Sequence, residues 1–109
     1  MRRIVEGIRY DTEKAKMIGE YDNLHAGADS VSDFQYWQAA LYLTPRSGRY
    51  FLAGEGGPMT MFAHHAGSNS MSGGEKLIPM SKAEAFDWAE RYLDIEVVEQ
   101  FFDDMIKDA

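Results

Sequence analysis

A run of aromatic and aliphatic residues around a turn is the feature that most constrains the fold of this chain. Residues 34–43 and 49–53 are rich in Phe, Tyr and Leu, and the segment 44–48 between them (Thr-Pro-Arg-Ser-Gly) is typical of a turn. The pattern predicts two antiparallel strands joined as a hairpin. Side chains alternate between faces in a strand, so both faces of the first strand would be apolar. One face would carry Phe34, Tyr36, Ala40 and Tyr42, and the other Trp37, Ala39, Leu41 and Leu43. Each face must then be covered or serve as a contact surface.

The C-terminal quarter of the chain has the pattern of two helices. Ser81 and Glu84 form a capping box, and Met80 is placed to pack on Ala85 as a hydrophobic staple, so a helix is expected to begin after Ser81. Apolar residues then recur at helical spacing, as Ala85, Trp88, Ala89 and Tyr92 and, further on, Val98, Phe101, Phe102, Met105 and Ile106. The stripe shifts at residues 93–95, which favours a break at Asp94 over one continuous helix.

The remaining segments carry weaker signals. Ile4-Val5 and Ile8–Tyr10 predict a strand pair about the turn Glu6-Gly7, and residues 76–80 predict another short strand. We also expect a helix over residues 12–22, a loop over 23–33, a helical segment from Phe62 to His65 and turns from Gly67 to Gly74. The predicted fold class is α+β: a small antiparallel sheet of about four strands with packed helices, the largest helical region being C-terminal.

Negative charge is concentrated in the C-terminal part of the chain. The length of 109 residues suits a single domain, with a mixed strand and helix part over 1–80 and an acidic helical part over 81–109. Residues 1–80 hold eight Lys and Arg against nine Asp and Glu, whereas residues 81–109 hold three against nine. We expect the acidic side chains of residues 81–109 to form a negative surface that contacts a basic surface of a partner. The alternative is that these side chains form only a solvated helix face. The predicted partner-binding residues are Glu90, Glu96, Glu99, Asp103 and Asp104, together with Glu55, Trp37 and Tyr36.

Nucleophilic, redox and metal chemistry lack support in the sequence. There is no cysteine, which excludes thiol catalysis, disulfides and Cys-based zinc or iron–sulfur sites. His64 and His65 would point about 100° apart in a helix, and with His25 they form no His-x-x-x-His pair, so no metal site is expected. No Gly-x-Ser-x-Gly elbow is present, and Ser68, Ser70 and Ser72 lie in a stretch predicted to be turn. We therefore expect no enzymatic activity and no cofactor.

Two glycine-rich segments invite a phosphate-binding interpretation. The first, Gly54–Gly57, contains Glu55, whose carboxylate would repel a phosphate, and the second, Gly73–Leu77, lacks the Gly-Lys-Ser/Thr of a P-loop. We expect both to be tight turns that need positive φ. A nucleotide-binding module or small enzyme that uses these loops is kept as an alternative.

The overall balance of charge and hydropathy bears on partners and location. A net charge of −7 removes the global electrostatic reason to bind nucleic acid directly, because that affinity depends on Lys and Arg contacts to phosphates. No apolar run approaches the roughly 18 residues of a membrane span, and the first residues do not form a targeting segment. We expect a cytoplasmic protein that binds another protein, with a homodimer joined through the C-terminal helices as a further alternative.

Several short motifs occur in an order that resembles a known group of proteins. The motifs are Tyr10-Asp11-Thr12, Ser32-Asp33-Phe34, Leu41-Tyr42, the stretch Arg49–Pro58 (RYFLAGEGGP) and the stretch Gly73–Met80 (GGEKLIPM). Together they resemble small uncharacterised proteins carried by phages and conjugative elements of bacteria, over most of residues 3–93. The resemblance implies an accessory factor of a mobile element. In that setting, small acidic proteins that block host defence nucleases, as anti-CRISPR inhibitors do, are common.

Overall fold

The described residues, 1–67 and 70–109, form strands, two α-helices and a short 3₁₀ turn in the computed structural model. The strands are β1 (Arg2–Val5), β2 (Ile8–Asp11), β3 (Lys16–Asp22), β4 (Trp37–Thr44), β5 (Arg49–Gly56), β6 (His64–Gly67), β7 (Ser70–Ser72) and β8 (Gly74–Met80). The helices are α1 (Lys82–Tyr92) and α2 (Ile95–Phe102), and the 3₁₀ turn is Asp103–Met105. This is the predicted α+β fold, with its helices at the C-terminus.

The hairpin predicted from residues 34–53 is present and forms the centre of the sheet. Strands β4 and β5 pair antiparallel from Trp37 opposite Gly56 to Thr44 opposite Arg49. Strand β3 pairs with β4 and strand β8 pairs with β5, both antiparallel, so the four-stranded sheet has the order β3-β4-β5-β8. The strand pairs β1–β2 and β6–β7 form separate two-stranded sheets.

Both faces of the central hairpin are apolar, as predicted, and two different elements cover them. The helices α1 and α2 cover the first face, where Leu41 and Leu52 are fully buried against Phe102. The β1–β2 hairpin covers part of the opposite face, where Tyr10 packs edge-on against Phe51 with ring centroids 5.4 Å apart. The covered part lies toward the β4–β5 turn. Among the described residues, no element covers the part of this face that carries Gln38, Glu55 and Glu75, whose side chains are exposed.

The helix predicted over residues 12–22 is wrong, because Lys16–Asp22 is strand β3. The register with β4 shifts between Met17 and Gly19, so a β-bulge accommodates Ile18. This extra residue interrupts the two-residue alternation by which a strand is recognised in a sequence. The helical interpretation also required Gly19 inside a helix, which is unfavourable by roughly 0.5–1 kcal/mol relative to Ala.

The short helix predicted from Phe62 to His65 is also wrong. Phe62 and Ala63 are buried just before strand β6, which begins at His64 and pairs antiparallel with β7. His64 opens this strand and its ring Nε2 lies 3.1 Å from the carbonyl oxygen of Glu75. Ser70 and Ser72 belong to β7, which corrects the predicted turn, while Ser68 lies outside the described residues.

The helical signals after residue 80 are confirmed. The Ser81 hydroxyl accepts a hydrogen bond from the Glu84 amide at 3.1 Å, and the Ser81 amide donates to Glu84 Oε1 at 2.9 Å. The helical region is interrupted at Asp94, as predicted, and Asp94 is the N-cap of α2. Ile106 was wrongly placed on the apolar stripe, because it follows the 3₁₀ turn in an extended conformation and is 38% exposed.

Candidate functional site

The C-terminal acids predicted to bind a partner are all exposed, but they do not form one patch. Glu90 on α1 and Glu99 on α2 line the same groove at the C-terminal end of α1. Asp104 accepts a hydrogen bond from Lys82 Nζ, at the opposite end of α1. Eight residues of helix separate Lys82 from Glu90, which corresponds to about 12 Å. Glu96 and Asp103 are exposed on α2 and on the 3₁₀ turn, outside that groove.

Trp37 lies in the protein core, on the helix-covered face of the sheet. Only 9% of its surface is exposed. Its ring centroid is 5.0 Å from that of Tyr92 in an edge-on arrangement and 5.6 Å from that of Tyr21. This corrects the expectation that Trp37 contacts a partner, because an aromatic side chain buried in this way stabilises the packing of helix on sheet.

Glu55 lies on the open part of the second sheet face, within a row of polar side chains that crosses the whole sheet. Asp22 on β3 is opposite Gln38 on β4, Gln38 is opposite Glu55 on β5, and Glu55 is opposite Glu75 on β8. Directly opposite residues in a sheet have side chains on the same face and close together. Gln38 Nε2 donates a hydrogen bond to Glu55 Oε1 at 3.2 Å. Three carboxylates therefore occupy one cross-strand row.

The next row toward the covered part of the face adds one more carboxylate. Glu20 on β3 is opposite Ala40, which is opposite Ala53 on β5. We call Glu20, Asp22, Glu55 and Glu75, together with Gln38, the acidic face. All five side chains are exposed. Within residues 1–67 and 70–109, the one salt bridge joins Lys82 and Asp104, so the carboxylates of the acidic face are not neutralised by a paired cation.

Tyr36 stands at the edge of the acidic face, just before strand β4. Desolvation raises the pKa of its phenol, and the negative charges of Asp22 and Glu55 raise it further. The phenol hydroxyl is a potential hydrogen-bond donor beside carboxylate acceptors. Tyr36 lines the same cleft as Glu55 and Glu75, which places it beside the acidic face.

Exposed apolar side chains flank Tyr36 on the loop before β4. Phe34 is 64% exposed and Val31 is 69% exposed. With Tyr36, Glu55 and Glu75 they line a cleft of about 520 Å³. A second depression of about 230 Å³ lies on the other side of Glu55 and includes Glu20 and Gln38. The site thus combines a row of carboxylates with an apolar shelf, which we define as Val31 and Phe34.

Hydrogen bonds hold the loop that carries the shelf. The Asp33 carboxylate accepts from the Gln35 amide at 2.8 Å and from the Asp29 amide at 3.1 Å. These two bonds lower the pKa of Asp33. The Met59 amide donates to the Phe34 carbonyl at 3.0 Å, which ties the loop to the segment after β5. Local turn chemistry therefore fixes the position of Phe34 relative to the acidic face.

The buried Asn23 fixes the base of the same loop. Its side-chain nitrogen donates to the Gln35 carbonyl, and its side-chain oxygen accepts from the Trp37 amide, each at 2.8 Å. An amide that bridges both sides of a loop in this way satisfies buried backbone groups that would otherwise be costly. The apolar shelf is consequently presented by an ordered loop rather than a free one.

The glycine-rich segments pack against neighbouring backbone and do not form an open phosphate cradle. A Cβ atom at Gly57 would lie 2.5 Å from the Phe34 carbonyl oxygen, and one at Gly73 would lie 2.7 Å from the Gly56 carbonyl oxygen. Positive φ is not the reason for these glycines, which corrects the predicted turns: among the described residues, the glycines with positive φ are Gly7 and Gly48. The requirement at Gly57 and Gly73 is for close approach of two chain segments.

Within the described ranges, no group of three or more His, Asp or Glu is arranged to hold a metal ion, and no helix has the length and apolar character needed to cross a membrane. The fold and site define a small α+β protein with an acidic, partly open sheet face. No protein-family model, curated protein or solved structure that was compared with this chain matches it.

From the sequence, Glu55 and Tyr36 were predicted to bind a partner, whereas Glu20, Asp22 and Glu75 were not. The pairing of Gln38 with Glu55 follows from the predicted β4–β5 hairpin and could have been found. Asp22 was not predicted as part of the site, because its segment was predicted to be helical. Glu75 was missed because the pairing of β8 with β5 is a long-range contact that no local pattern specifies.

Proposed function

We propose that this chain is a non-enzymatic binding protein that docks its acidic face on a basic surface of a protein partner. The observation that carries the proposal is the cross-strand row in which Glu55 and Glu75 are directly opposite each other on an uncovered part of the sheet. Like charges in directly opposite positions destabilise a sheet. Neither carboxylate forms a salt bridge with a described residue. A chain that keeps such a pair exposed has a surface better suited to a complex than to the free protein.

The chemistry of the face defines the partner. Exposed carboxylates attract Lys and Arg side chains, speed encounter with a cationic surface and disfavour partners of like charge. The exposed apolar shelf of Val31 and Phe34 is removed from water when a partner contacts it, which favours binding. The complementary surface is therefore basic at its centre and apolar at one side.

The resemblance to phage and conjugative-element proteins supports a finer form of the proposal. In that setting, the partner is a host nucleic-acid-guided defence complex, and the chain acts as an inhibitor of the anti-CRISPR kind. A row of carboxylates would occupy a cationic groove that otherwise holds phosphates, because both ligands are recognised by the same Lys and Arg side chains. Direct binding of nucleic acid by this chain forms no part of the proposal.

The test compares two variants that reverse the same number of charges at different places. The acidic-face variant carries Asp22→Lys, Glu55→Lys and Glu75→Lys. The control variant carries Glu13→Lys, Asp87→Lys and Glu96→Lys, which are also exposed. Each tagged protein is used to capture partners from a bacterial lysate at about 50 and 300 mM salt, since salt screens exposed charges over about 8 Å at physiological ionic strength.

The proposal predicts that wild type and control retain a common protein with a basic surface, and that the acidic-face variant loses it. Higher salt should weaken the complex of the purified pair mainly through its association rate. For the finer form, added nucleic acid should release the captured partner. Identical capture by all three proteins, with circular dichroism showing that all are folded, would exclude the acidic face as the binding surface.

A further inference from the structure

An apolar groove lies at the other side of the molecule, in the helical layer. It is formed by α1, α2 and residues 105–108, and its volume is about 610 Å³. Phe86 and Val98 contribute to its floor, while Ile95 and Ile106 stand at its edge with 68% and 38% of their surfaces exposed. We call this the C-terminal groove. It shares no residue with the acidic face.

The groove exists because the apolar stripe of α2 extends beyond the sheet that it covers. Ile95, Val98 and Phe102 follow one another at i, i+3 and i+7, so they lie on one face of the helix. Val98 and Phe102 are buried, whereas Ile95, at the first turn, has no described element over it. After the 3₁₀ turn the chain is extended at Ile106, which adds a second apolar side chain to the same edge.

The rim of the groove is acidic. Glu90, Glu99 and Asp108 line it, with Lys107 as its single basic residue. An apolar floor with a negative rim complements an amphipathic segment whose apolar residues are flanked by Lys and Arg. Glu90 and Glu99, which were predicted from the sequence to bind a partner, therefore lie on the rim of a groove that the sequence did not predict.

A second copy of this chain fits the groove less well than a basic partner. In a two-fold dimer the same surface patch faces itself. The rims would then bring Glu90 and Glu99 of one copy toward the same acids of the other, and juxtaposed like charges oppose association. This disfavours the homodimer considered from the sequence.

We infer that the C-terminal groove is a docking site for a basic amphipathic helix of a protein partner. The helix places apolar side chains at i, i+3, i+4 and i+7 against Val98, Ile95 and Ile106. Its Lys or Arg side chains face Glu90 and Glu99. The inference is independent of the proposed function, because a chain whose acidic face binds nothing would still have this groove.

The experiment uses synthetic helical peptides of about 14 residues, or four turns, with Leu at the groove-facing positions. One peptide carries Lys at the flanking positions, and the other carries Glu there with the same Leu pattern. Binding is measured by fluorescence anisotropy with wild type, with Ile95→Ser/Ile106→Ser, with Glu90→Gln/Glu99→Gln, and with the control Val31→Ser. Val31 is equally exposed but lies on the shelf beside the acidic face.

Wild type and Val31→Ser should bind the Lys peptide with the same affinity and the Glu peptide at least tenfold more weakly, a difference of about 1.4 kcal/mol. The Ile95→Ser/Ile106→Ser variant should lose at least about tenfold in affinity for the Lys peptide. The Glu90→Gln/Glu99→Gln variant should lose most of the salt dependence of binding. Absence of saturable binding, equal binding of both peptides, or a dimer in sedimentation that Ile95→Ser disrupts would overturn the inference.

Discussion

At the residue scale, Glu55 and Glu75 show how a position that is unfavourable for stability can be informative about function. Cross-strand neighbours in native sheets are commonly apolar pairs or opposite charges, because these contribute roughly 0.2–1 kcal/mol relative to Ala pairs. Glu55 has a favourable neighbour on β4, where Gln38 donates to it, and an unfavourable one on β8. The sheet would be more stable with a neutral residue at position 75.

The first prediction follows from this pair. Glu75→Gln should raise the free energy of unfolding by about 0.2–1 kcal/mol at neutral pH, because it removes a like-charge contact. The matched control is Glu96→Gln, which removes the same charge from an exposed position on α2. Urea unfolding at low salt measures both. Equal stability of the two variants would mean that the repulsion between Glu55 and Glu75 is negligible, and the argument for a surface selected for binding would lose its basis.

Single residues also show where sequence reasoning succeeds. The capping box of Ser81 and Glu84 was predicted because both of its hydrogen bonds are made within four consecutive residues. The cross-strand row was not predicted, because Asp22 and Glu75 meet the hairpin only through long-range pairing. The cap is specified within one short segment, whereas Asp22 and Glu75 join the row through strand pairings that no short turn in the sequence indicates.

At the element scale, helix α2 connects the core to the C-terminal groove. Phe102 is fully buried and stacks with Tyr50 at a ring-centroid distance of 5.5 Å. Its neighbour Phe101 is half-buried, with the ammonium of Lys16 5.3 Å from its ring centroid. The sequence stripe included both phenylalanines, because a hydrophobic pattern does not distinguish full from partial burial.

The second prediction uses this adjacent pair. Phe102→Ala should lower the free energy of unfolding by about 3–5 kcal/mol, since it leaves a cavity in the core. Phe101→Ala removes the same atoms from the same helix, yet it should have a clearly smaller effect because part of its surface is already in water. Thermal and urea unfolding of the two variants provide the comparison. Equal losses would show that α2 packs on the sheet in a different rotation about its axis.

Strand β3 shows why one element was assigned to the wrong class. Its bulge at Ile18 shifts the alternation of buried and exposed residues, so the segment has no regular two-residue period. A Cβ atom at Gly19 would lie 2.9 Å from the methyl groups of Leu93, at the end of α1. Both features depend on tertiary neighbours, namely β4 and the end of α1. The local sequence pattern of residues 12–22 therefore does not indicate either feature.

At the scale of the whole molecule, the two candidate surfaces lie on different layers. The acidic face belongs to the sheet and the C-terminal groove belongs to the helices, so one chain has room for two partner contacts. The concentration of charge in residues 81–109 suggested a single acidic surface, but folding distributes the acids of the chain over both layers. The count of charged residues taken from the sequence was correct. The positions of these residues in space could be known only from the fold, in particular from the strand order β3-β4-β5-β8.

The dependence of stability on pH is also a property of the whole molecule. Hydrogen bonds lower the pKa of three carboxyl groups, which are Asp33 in the loop before β4, Glu84 in the capping box and Asp104 beside Lys82. A lowered pKa in the folded state means that the carboxylate form favours folding. The contribution of these groups is present above their unfolded pKa of about 4 and is lost as the pH falls through their folded pKa.

Two tyrosines contribute to the alkaline side of the profile. Desolvation, followed by nearby carboxylates, raises the pKa of Tyr36 and of Tyr42 above the ordinary value. A raised folded pKa gives stability that is fully present below about pH 10 and is lost as the pH rises through the folded value. The chain should therefore have a stability plateau between about pH 5 and pH 9, with losses on both sides for different residues.

The last prediction isolates the acid limb of this profile. The double variant Glu84→Gln/Asp104→Asn keeps an oxygen that can accept from the Ser81 amide and from Lys82, but neither side chain titrates. It should be less stable than wild type near pH 7, because an amide lacks the charge that favours folding. It should also lose less stability than wild type between about pH 5 and pH 3, because two of the three carboxyl groups with a lowered pKa can no longer bind a proton. The control Glu13→Gln/Glu96→Gln removes two exposed carboxylates that accept no hydrogen bond from the described residues, so its acid limb should follow that of wild type. Urea unfolding at each pH measures the difference. If the two double variants have the same acid limb, the hydrogen bonds to Glu84 and Asp104 do not determine acid stability, and the loss must come from the net charge of the whole chain.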